Sequence, residues 1–254
     1  MVEASHGCVD VSVPSAAGVH VLRGVIPTNH VALPVRYALV VPDGARGLDR
    51  VAYVLPGRGS DADAAIGLGL DGFLADYVRR VDGPPFALAV MDSGDSYFHP
   101  RASGEDRLAV LIADFPRLVR AALGAPQLRE SLIGLSMGGY GALLAAERAP
   151  QRYHAVAVAG PAIFPSFEDE RRSVGDAFDS AADFARYDVL AHAAALRGRP
   201  VKLIAGSRDP FLPGIRAFAR ACQTAVLDVE PGCHDDGFWR ASASSLLKFI
   251  GAHL

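Results

Sequence analysis

From residue 50 onward, short apolar runs alternate with segments whose apolar positions repeat at helical spacing. Runs that are apolar throughout are typical of strands covered by helices on both faces, and strand–helix alternation favours a parallel sheet. The pattern predicts strands at residues 51–55, 86–91, 131–135, 154–159, 201–205 and 225–229. It predicts helices at residues 70–80, 106–123, 138–148, 188–196, 213–222 and 237–252.

The first fifty residues have a different pattern, rich in β-branched residues and interrupted by Gly, Pro and Asn. This pattern predicts strands at 9–13, 19–26 and 35–41. Residues 161–187 lack a clean period and carry several charges, which indicates a small cap or a surface excursion. With no internal repeat or linker, we expect one α/β domain over 1–254, with an N-terminal antiparallel β segment and a mostly parallel sheet.

Composition narrows the choice of partners. The chain has 254 residues, half of them hydrophobic, and a net charge of -3 without a basic stripe, so nucleic acid is not an expected partner. No apolar run reaches the length of a membrane span, and no signal peptide is visible. These features predict a cytoplasmic protein, although an exported chain trimmed of its signal would look the same.

The cysteines are Cys8, Cys222 and Cys233. Their spacing to one another and to the histidines does not indicate a zinc site, and we expect neither a metal nor a cofactor. A disulfide between Cys222 and Cys233 is left open by the sequence, as is the oligomeric state.

The segment Gly134-x-Ser136-x-Gly138 lies between the predicted strand 131–135 and the predicted helix 138–148. This pattern is the nucleophile elbow of α/β-hydrolases, in which a sharp strand-to-helix turn exposes the serine hydroxyl. A five-position pattern also occurs by chance, as a glycine-rich turn without chemistry. Its place between a strand and a helix favours the catalytic interpretation.

Polar residues follow two later strands, where ligands bind in open α/β sheets. Asp209 comes after strand 201–205, and His234 comes after strand 225–229. The order Ser136, Asp209, His234 is the order in this fold. The chemistry would be that of a serine made nucleophilic by a histidine base, with an aspartate holding the imidazole.

Other acidic residues compete for the role of Asp209. Asp235 and Asp236 adjoin His234, but their position favours capping of helix 237–252. Asp228 lies within a strand and is expected to point away from the site.

Acyl transfer also needs donors for the oxyanion. The backbone N–H of Met137 is one candidate, and the N–H of Arg58 is the other, with Gly59 as an alternative. The Arg58 side chain either reaches a polar substrate group or is an ordinary solvated arginine. The remaining predicted substrate-binding residues are Gly57, Gly59, Asp95, Ser96, Tyr97, Phe211 and Trp239, with ordinary loop packing as the alternative for those in the loop at 91–101.

Over residues 30–254 the chain resembles the putative-esterase family of α/β-hydrolases, which includes S-formylglutathione hydrolase, feruloyl esterases and the mycobacterial mycolyltransferase antigens. The resemblance rests on residues 55–59, 134–142, 206–211 and 232–235. It implies Ser136 as nucleophile, Asp209 as acid and His234 as base, with oxyanion donors at Met137 and after Gly57. Many relatives have His-Gly where this chain has Pro56-Gly57, which leaves the substrate undecided.

Together these observations predict a carboxylesterase that acts on a small-molecule ester through an acyl-enzyme. An acyltransferase of the mycolyltransferase type, using a sugar or another alcohol as acceptor, is the first alternative. A non-catalytic binding protein on a hydrolase scaffold is the second, because a fold does not by itself determine a function.

Overall fold

The computed structural model describes residues 9, 11–80 and 83–254. Within this part of the chain, eight strands form one sheet in the order β1-β2-β4-β3-β5-β6-β7-β8. Their bounds are β1 (Val19–Ile26), β2 (Val35–Pro42), β3 (Arg50–Leu55), β4 (Ala87–Met91), β5 (Arg129–Leu135), β6 (Tyr153–Ala159), β7 (Val201–Gly206) and β8 (Ala225–Glu230).

The two N-terminal strands run antiparallel to their neighbours, and all other pairs are parallel. β1 pairs with β2 and β2 with β4 in antiparallel register, whereas β4, β3, β5, β6, β7 and β8 are parallel. The parallel strands therefore end at one edge of the sheet, as the alternating pattern predicted. The predicted strand at 9–13 is wrong for the described residues, since Val9 and residues 11–13 are not in a strand, and residue 10 lies outside the described part.

Ten α-helices are described, with one π-helical turn (Val110–Asp114) between α3 and α4 and one 3₁₀ turn (Ala193–Leu196) after α8. Their bounds are α1 (Ala62–Gly67), α2 (Leu70–Arg80), α3 (Arg107–Ala109), α4 (Phe115–Leu123), α5 (Met137–Arg148), α6 (Phe167–Ser173), α7 (Ala181–Tyr187), α8 (Val189–His192), α9 (Leu212–Ala221) and α10 (Asp236–Gly251). The segment predicted as one helix at 106–123 is thus three helical pieces in succession.

Side chains of each central strand enter two separate cores, because successive residues of a strand point to opposite faces. In β3, Tyr53 and Leu55 pack in the core that α5 and α9 cover. Ala52 and Val54 pack in the core that α2 and α10 cover. This is why the strands are apolar throughout.

The segment 161–187 contains α6 and α7, which the sequence pattern did not predict. Serines begin both helices: the side chains of Ser166 and Ser180 accept hydrogen bonds from Asp169 N–H and Asp183 N–H. We refer to residues 161–187 as the excursion. Among the described residues no helix is long and apolar enough to cross a membrane. Cys222 is a buried free thiol, so it forms no disulfide with Cys233.

Candidate active site

Ser136 occupies the sharp turn between β5 and α5. Its backbone has φ 54° and ψ -120°, a conformation that non-glycine residues seldom adopt. Gly138 allows this turn to lie close to β3, because a Cβ at that position would collide with the carbonyl oxygen of Leu55. The Ser136 hydroxyl is therefore presented at the edge of the sheet where the parallel strands end.

Asp209 and His234 reach the same place from the ends of β7 and β8. Ser136 Oγ lies 2.8 Å from His234 Nε2, and His234 Nδ1 lies 2.9 Å from Asp209 Oδ2. A carboxylate only accepts hydrogen bonds, so Nδ1 carries the proton and the lone pair of Nε2 faces the serine hydroxyl. The other oxygen of Asp209 accepts from the N–H of Phe211 at 2.8 Å, which fixes the carboxylate.

Two of the three competing aspartates are engaged elsewhere, and the third, Asp236, lies in the first turn of α10. Asp235 accepts a hydrogen bond from Phe238 N–H at 2.9 Å and caps α10, in agreement with the sequence argument. Asp228 binds Lys202 Nζ on the neighbouring strand at 2.6 Å. Of the acidic side chains near His234, Asp209 is the one that the structure brings to its ring.

Gly160 is a site residue that the sequence analysis missed. Its φ is 54°, and a Cβ there would lie 2.8 Å from Asp209 Oδ2 and 3.1 Å from His234 Nδ1. The glycine thus leaves room for the Asp209–His234 hydrogen bond. The sequence could have identified Gly160 by its position directly after β6, at the carboxyl edge of the sheet.

The two backbone N–H groups predicted as oxyanion donors, those of Met137 and Arg58, make no backbone hydrogen bond within the described part of the chain. Met137 is the first residue of α5, so its N–H has no acceptor within the helix. Gly59 N–H donates to the carbonyl oxygen of Gly94 at 2.9 Å, which removes the alternative donor. Arg58 N–H has no backbone acceptor in the described part of the chain.

A cavity of about 300 Å³ opens above Ser136. Five of its lining residues were predicted from the sequence, namely Gly57, Arg58, Ser136, His234 and Trp239. Apolar side chains that the sequence argument did not include form much of the remaining wall: Ala64, Leu68 and Leu135. Asp236 also lines the cavity, which therefore combines the reactive hydroxyl with apolar side chains and with the charged Arg58 and Asp236.

Asp95 and Ser96 line a different, polar cleft of about 290 Å³ beside this cavity. The Arg58 side chain lies between the two, since it lines both. The remaining lining residues of the cleft are Arg101, Ser103, Glu105, Asp176 and Asp179.

Tyr97 is buried and packs against the rings of Tyr140, Phe164 and Phe178. Burial also raises the pKa of its phenol well above the usual range. Tyr97 lines neither cavity, which favours the packing alternative for this residue. Phe211 instead faces the site, with its ring centroid 5.0 Å from that of His234.

No group of three His, Cys, Asp or Glu side chains in the described ranges is arranged to hold a metal ion.

Comparison with known proteins gives one family match and many structural matches. The family described as "Putative esterase" matches residues 73–241. The residues that this family matches include Ser136, Asp209 and His234. No curated protein sequence matches the chain significantly.

Three solved structures illustrate the structural likeness. A ferulic acid esterase is 16% identical, with a TM-score of 0.79 and coverage of 93% of this chain and 99% of the other. S-formylglutathione hydrolase from Agrobacterium tumefaciens is 17% identical, with a TM-score of 0.76 and coverage of 97% and 99%. MPT51 (FbpC1) of Mycobacterium tuberculosis is 15% identical, with a TM-score of 0.72 and coverage of 91% and 97%. At these identities the likeness shows the α/β-hydrolase fold, which confirms the predicted fold class.

Proposed function

We infer the function from one premise: this chain belongs to the family of putative esterases, which matches more than half of its 254 residues. Membership and fold support a serine hydrolase of the esterase type. We propose more specifically that the chain is a carboxylesterase that works through an acyl-enzyme on Ser136. The observation that carries this proposal is the hydrogen-bonded series Ser136–His234–Asp209, at 2.8 Å and 2.9 Å, beneath the cavity.

In the acylation step Ser136 Oγ attacks the ester carbonyl carbon while His234 Nε2 takes the hydroxyl proton. The N–H groups of Met137 and Arg58 stabilise the negative oxygen of the tetrahedral intermediate. Asp209 holds the imidazole in the required tautomer and stabilises its charged form. His234 then gives the proton to the leaving alkoxide, and the alcohol departs from the acyl-serine.

In the deacylation step water takes the place of the alcohol. His234 removes a proton from the water, the resulting hydroxide attacks the acyl carbon, and the same two N–H groups bind the oxyanion. The proton returns to Ser136 Oγ as the carboxylic acid leaves. The enzyme is regenerated, and the step uses no further co-reactant.

The size of the cavity supports a small acyl group. A protein cavity of about 150 Å³ holds benzene, so about 300 Å³ suits a short aliphatic chain or a single ring. We therefore expect turnover of p-nitrophenyl esters to be highest for short acyl chains and to fall for long ones.

The proposal is tested by intact-protein mass spectrometry after treatment with a fluorophosphonate, alongside p-nitrophenyl ester kinetics. We expect one adduct on Ser136, and a loss of roughly 10⁴- to 10⁶-fold in kcat for Ser136→Ala, because the nucleophile and base act as a unit. Ser131→Ala, at a buried serine of the strand that precedes Ser136, is the matched control and should retain activity. Wild-type protein that gives neither adduct nor turnover would favour the binding-protein alternative.

Acyl transfer is a second candidate, supported by the polar cleft that shares Arg58 with the cavity. Asp95 and Ser96 would contact an alcohol acceptor there. Adding alcohols during turnover and measuring transesterified product by mass spectrometry separates transfer from hydrolysis.

A further inference from the structure

One acidic residue of the catalytic cavity has no partner for its charge. Asp236 lines the same cavity as Ser136 and His234. Its carboxylate takes part in no hydrogen bond or ion pair in the described part of the chain. A carboxylate in the first turn of a helix interacts favourably with the helix dipole, which accounts for an acid at the start of α10. The helix does not account for its place in the wall of a cavity that holds the reactive hydroxyl.

The positive charge nearest in the cavity wall is that of Arg58, and carboxylates outside the cavity offset it. Arg58 Nη2 donates to Asp176 Oδ2 at 2.8 Å, and Arg58 Nε lies 3.7 Å from Asp95 Oδ1. Both aspartates line the polar cleft instead of the cavity. Arg240, one turn after Asp236 on α10, donates to the carbonyl oxygen of Leu68 at 3.4 Å. The negative charge of Asp236 is therefore not balanced within the cavity.

An aromatic ring lies on the same side of α10 as this carboxylate. Trp239 follows Asp236 at helical spacing and lines the same cavity. Its ring centroid is 5.3 Å from that of His234, and its Cη2 atom would lie 3.9 Å from a Cβ at Gly57. The indole thus extends along the cavity wall from the catalytic base to the loop at 56–60. An indole face attracts cations, and ammonium groups are bound by aromatic rings in this way.

We propose that the natural substrate is an ester whose acyl group carries a positive charge, a protonated or quaternary amine, and that Asp236 and Trp239 select it. This inference rests on the proposed function, in which the acyl group occupies the cavity above Ser136. The ammonium group would lie against the indole with Asp236 as its counter-ion. Neither residue takes part in bond breaking, so both determine specificity and not the chemical step.

This arrangement predicts where selectivity appears in the kinetics. The charge on the acyl group is present in the bound ester and in the transition state alike, so its attraction lowers KM more than it raises kcat. The contacts of an exposed carboxylate and of an aromatic ring are each modest. We expect the wild type to prefer a cationic ester over a neutral one of the same shape by roughly fivefold to twentyfold in kcat/KM. This preference should shrink as sodium chloride is raised.

The experiment compares the p-nitrophenyl esters of γ-trimethylammoniobutyric acid and of its uncharged analogue, in which carbon replaces nitrogen. The measured quantity is the ratio of kcat/KM for the cationic ester to that for the neutral ester, each divided by the ester's own rate of alkaline hydrolysis. General damage to catalysis affects both esters and cancels in this ratio. Asp236→Asn and Trp239→Leu should each lower the ratio roughly twofold to fivefold, and Asp236→Glu should keep most of it.

Glu230→Gln is the matched control, because Glu230 is an exposed acid shortly before His234 that does not line the cavity. It should keep the wild-type ratio, and thermal melting should show every variant folded. A wild-type ratio of one or less, or an unchanged ratio in Asp236→Asn, would overturn the inference. A fall in Glu230→Gln as large as that in Asp236→Asn would do the same, since the preference would then come from general charge. If neither ester is turned over and no fluorophosphonate adduct forms, the proposed function itself is refuted.

Discussion

Gly160 lies directly behind the hydrogen bond between Asp209 and His234, where a single methyl group would intrude. Its left-handed backbone, with φ 54°, and its closeness to Asp209 Oδ2 are separate constraints on the residue. The backbone conformation affects the stability of the fold, and the contact with Asp209 affects the position of His234. A variant at this position therefore distinguishes damage to the fold from damage to the site.

For Gly160→Ala we expect a loss of about 1 to 2 kcal/mol in the free energy of unfolding, from the strained backbone. We expect kcat/KM to fall at least roughly tenfold as well, because even small displacements of catalytic groups are costly. Ester kinetics and chemical denaturation measure the two effects. Gly124→Ala is the control: its φ is 62° and a Cβ there meets nothing within 4 Å, so it should lose stability alone. Equal kinetics in both variants would contradict this account of Gly160.

At the scale of elements, α5 carries the site at one end and a buried acid at the other. Glu147 is 8% exposed, and neither of its carboxylate oxygens has a hydrogen-bond partner within the described ranges. Burial, followed by the nearby charge of Asp188, raises the pKa of Glu147 from 4.5 to about 9. Asp188 in turn caps α8, since its carboxylate accepts from Leu190 N–H at 2.9 Å. The protonated Glu147 therefore lies where α5 meets α8.

This pKa predicts how stability varies with pH. The folded chain keeps a proton that the unfolded chain releases above about pH 4.5, so the free energy of unfolding falls as pH rises from there toward 9. The amide in Glu147→Gln cannot ionise, so this variant does not lose free energy of unfolding as the pH rises. We expect the variant to be more stable than wild type at pH 8 and the difference to shrink toward pH 5.

Urea denaturation at several pH values measures this difference. The exposed Glu230, changed to Gln, should show no such trend. A stability difference between Glu147→Gln and wild type that is constant from pH 5 to pH 8 would refute the assignment of a buried, protonated Glu147.

At the scale of the whole molecule, the carboxyl ends and the amino ends of the parallel strands carry different groups of polar residues. The candidate site lies where the strands end. A buried polar cluster lies around Glu130, near the start of β5: Tyr53 donates to Glu130 Oε1 at 2.9 Å, and Arg152 Nη2 donates to the same oxygen at 3.0 Å. The cluster ties β3 and β5 to the turn before β6, away from Ser136.

For Glu130→Gln we expect the free energy of unfolding to fall by roughly 2 to 4 kcal/mol, because Arg152 loses its charged partner in a mostly buried setting. The value of kcat should stay within about twofold of wild type, since a small displacement at this end need not reach the site. Denaturation and ester kinetics together check both statements. A large drop in kcat with unchanged stability would show that the two ends are coupled.

The local sequence pattern was enough to predict the features that depend on residues close together in the sequence. Apolar runs predicted the parallel strands from β3 to β8 to within two residues at each end, because burial on both faces requires such runs. The elbow around Ser136 could be read from glycine spacing, since the sharp turn demands it. The chain order of Asp209 and His234 named residues that the structure brings into hydrogen-bond contact.

Contacts between distant residues were decided only by the tertiary structure. Arg58 and Asp176 are 118 positions apart, and no local period marks a single ion pair across that distance. The burial of Tyr97 depends on rings from α5 and the excursion, and the engagement of the Gly59 N–H depends on the carbonyl of Gly94. Periodicity records which face of an element is buried, whereas the identity of each partner depends on how the elements pack.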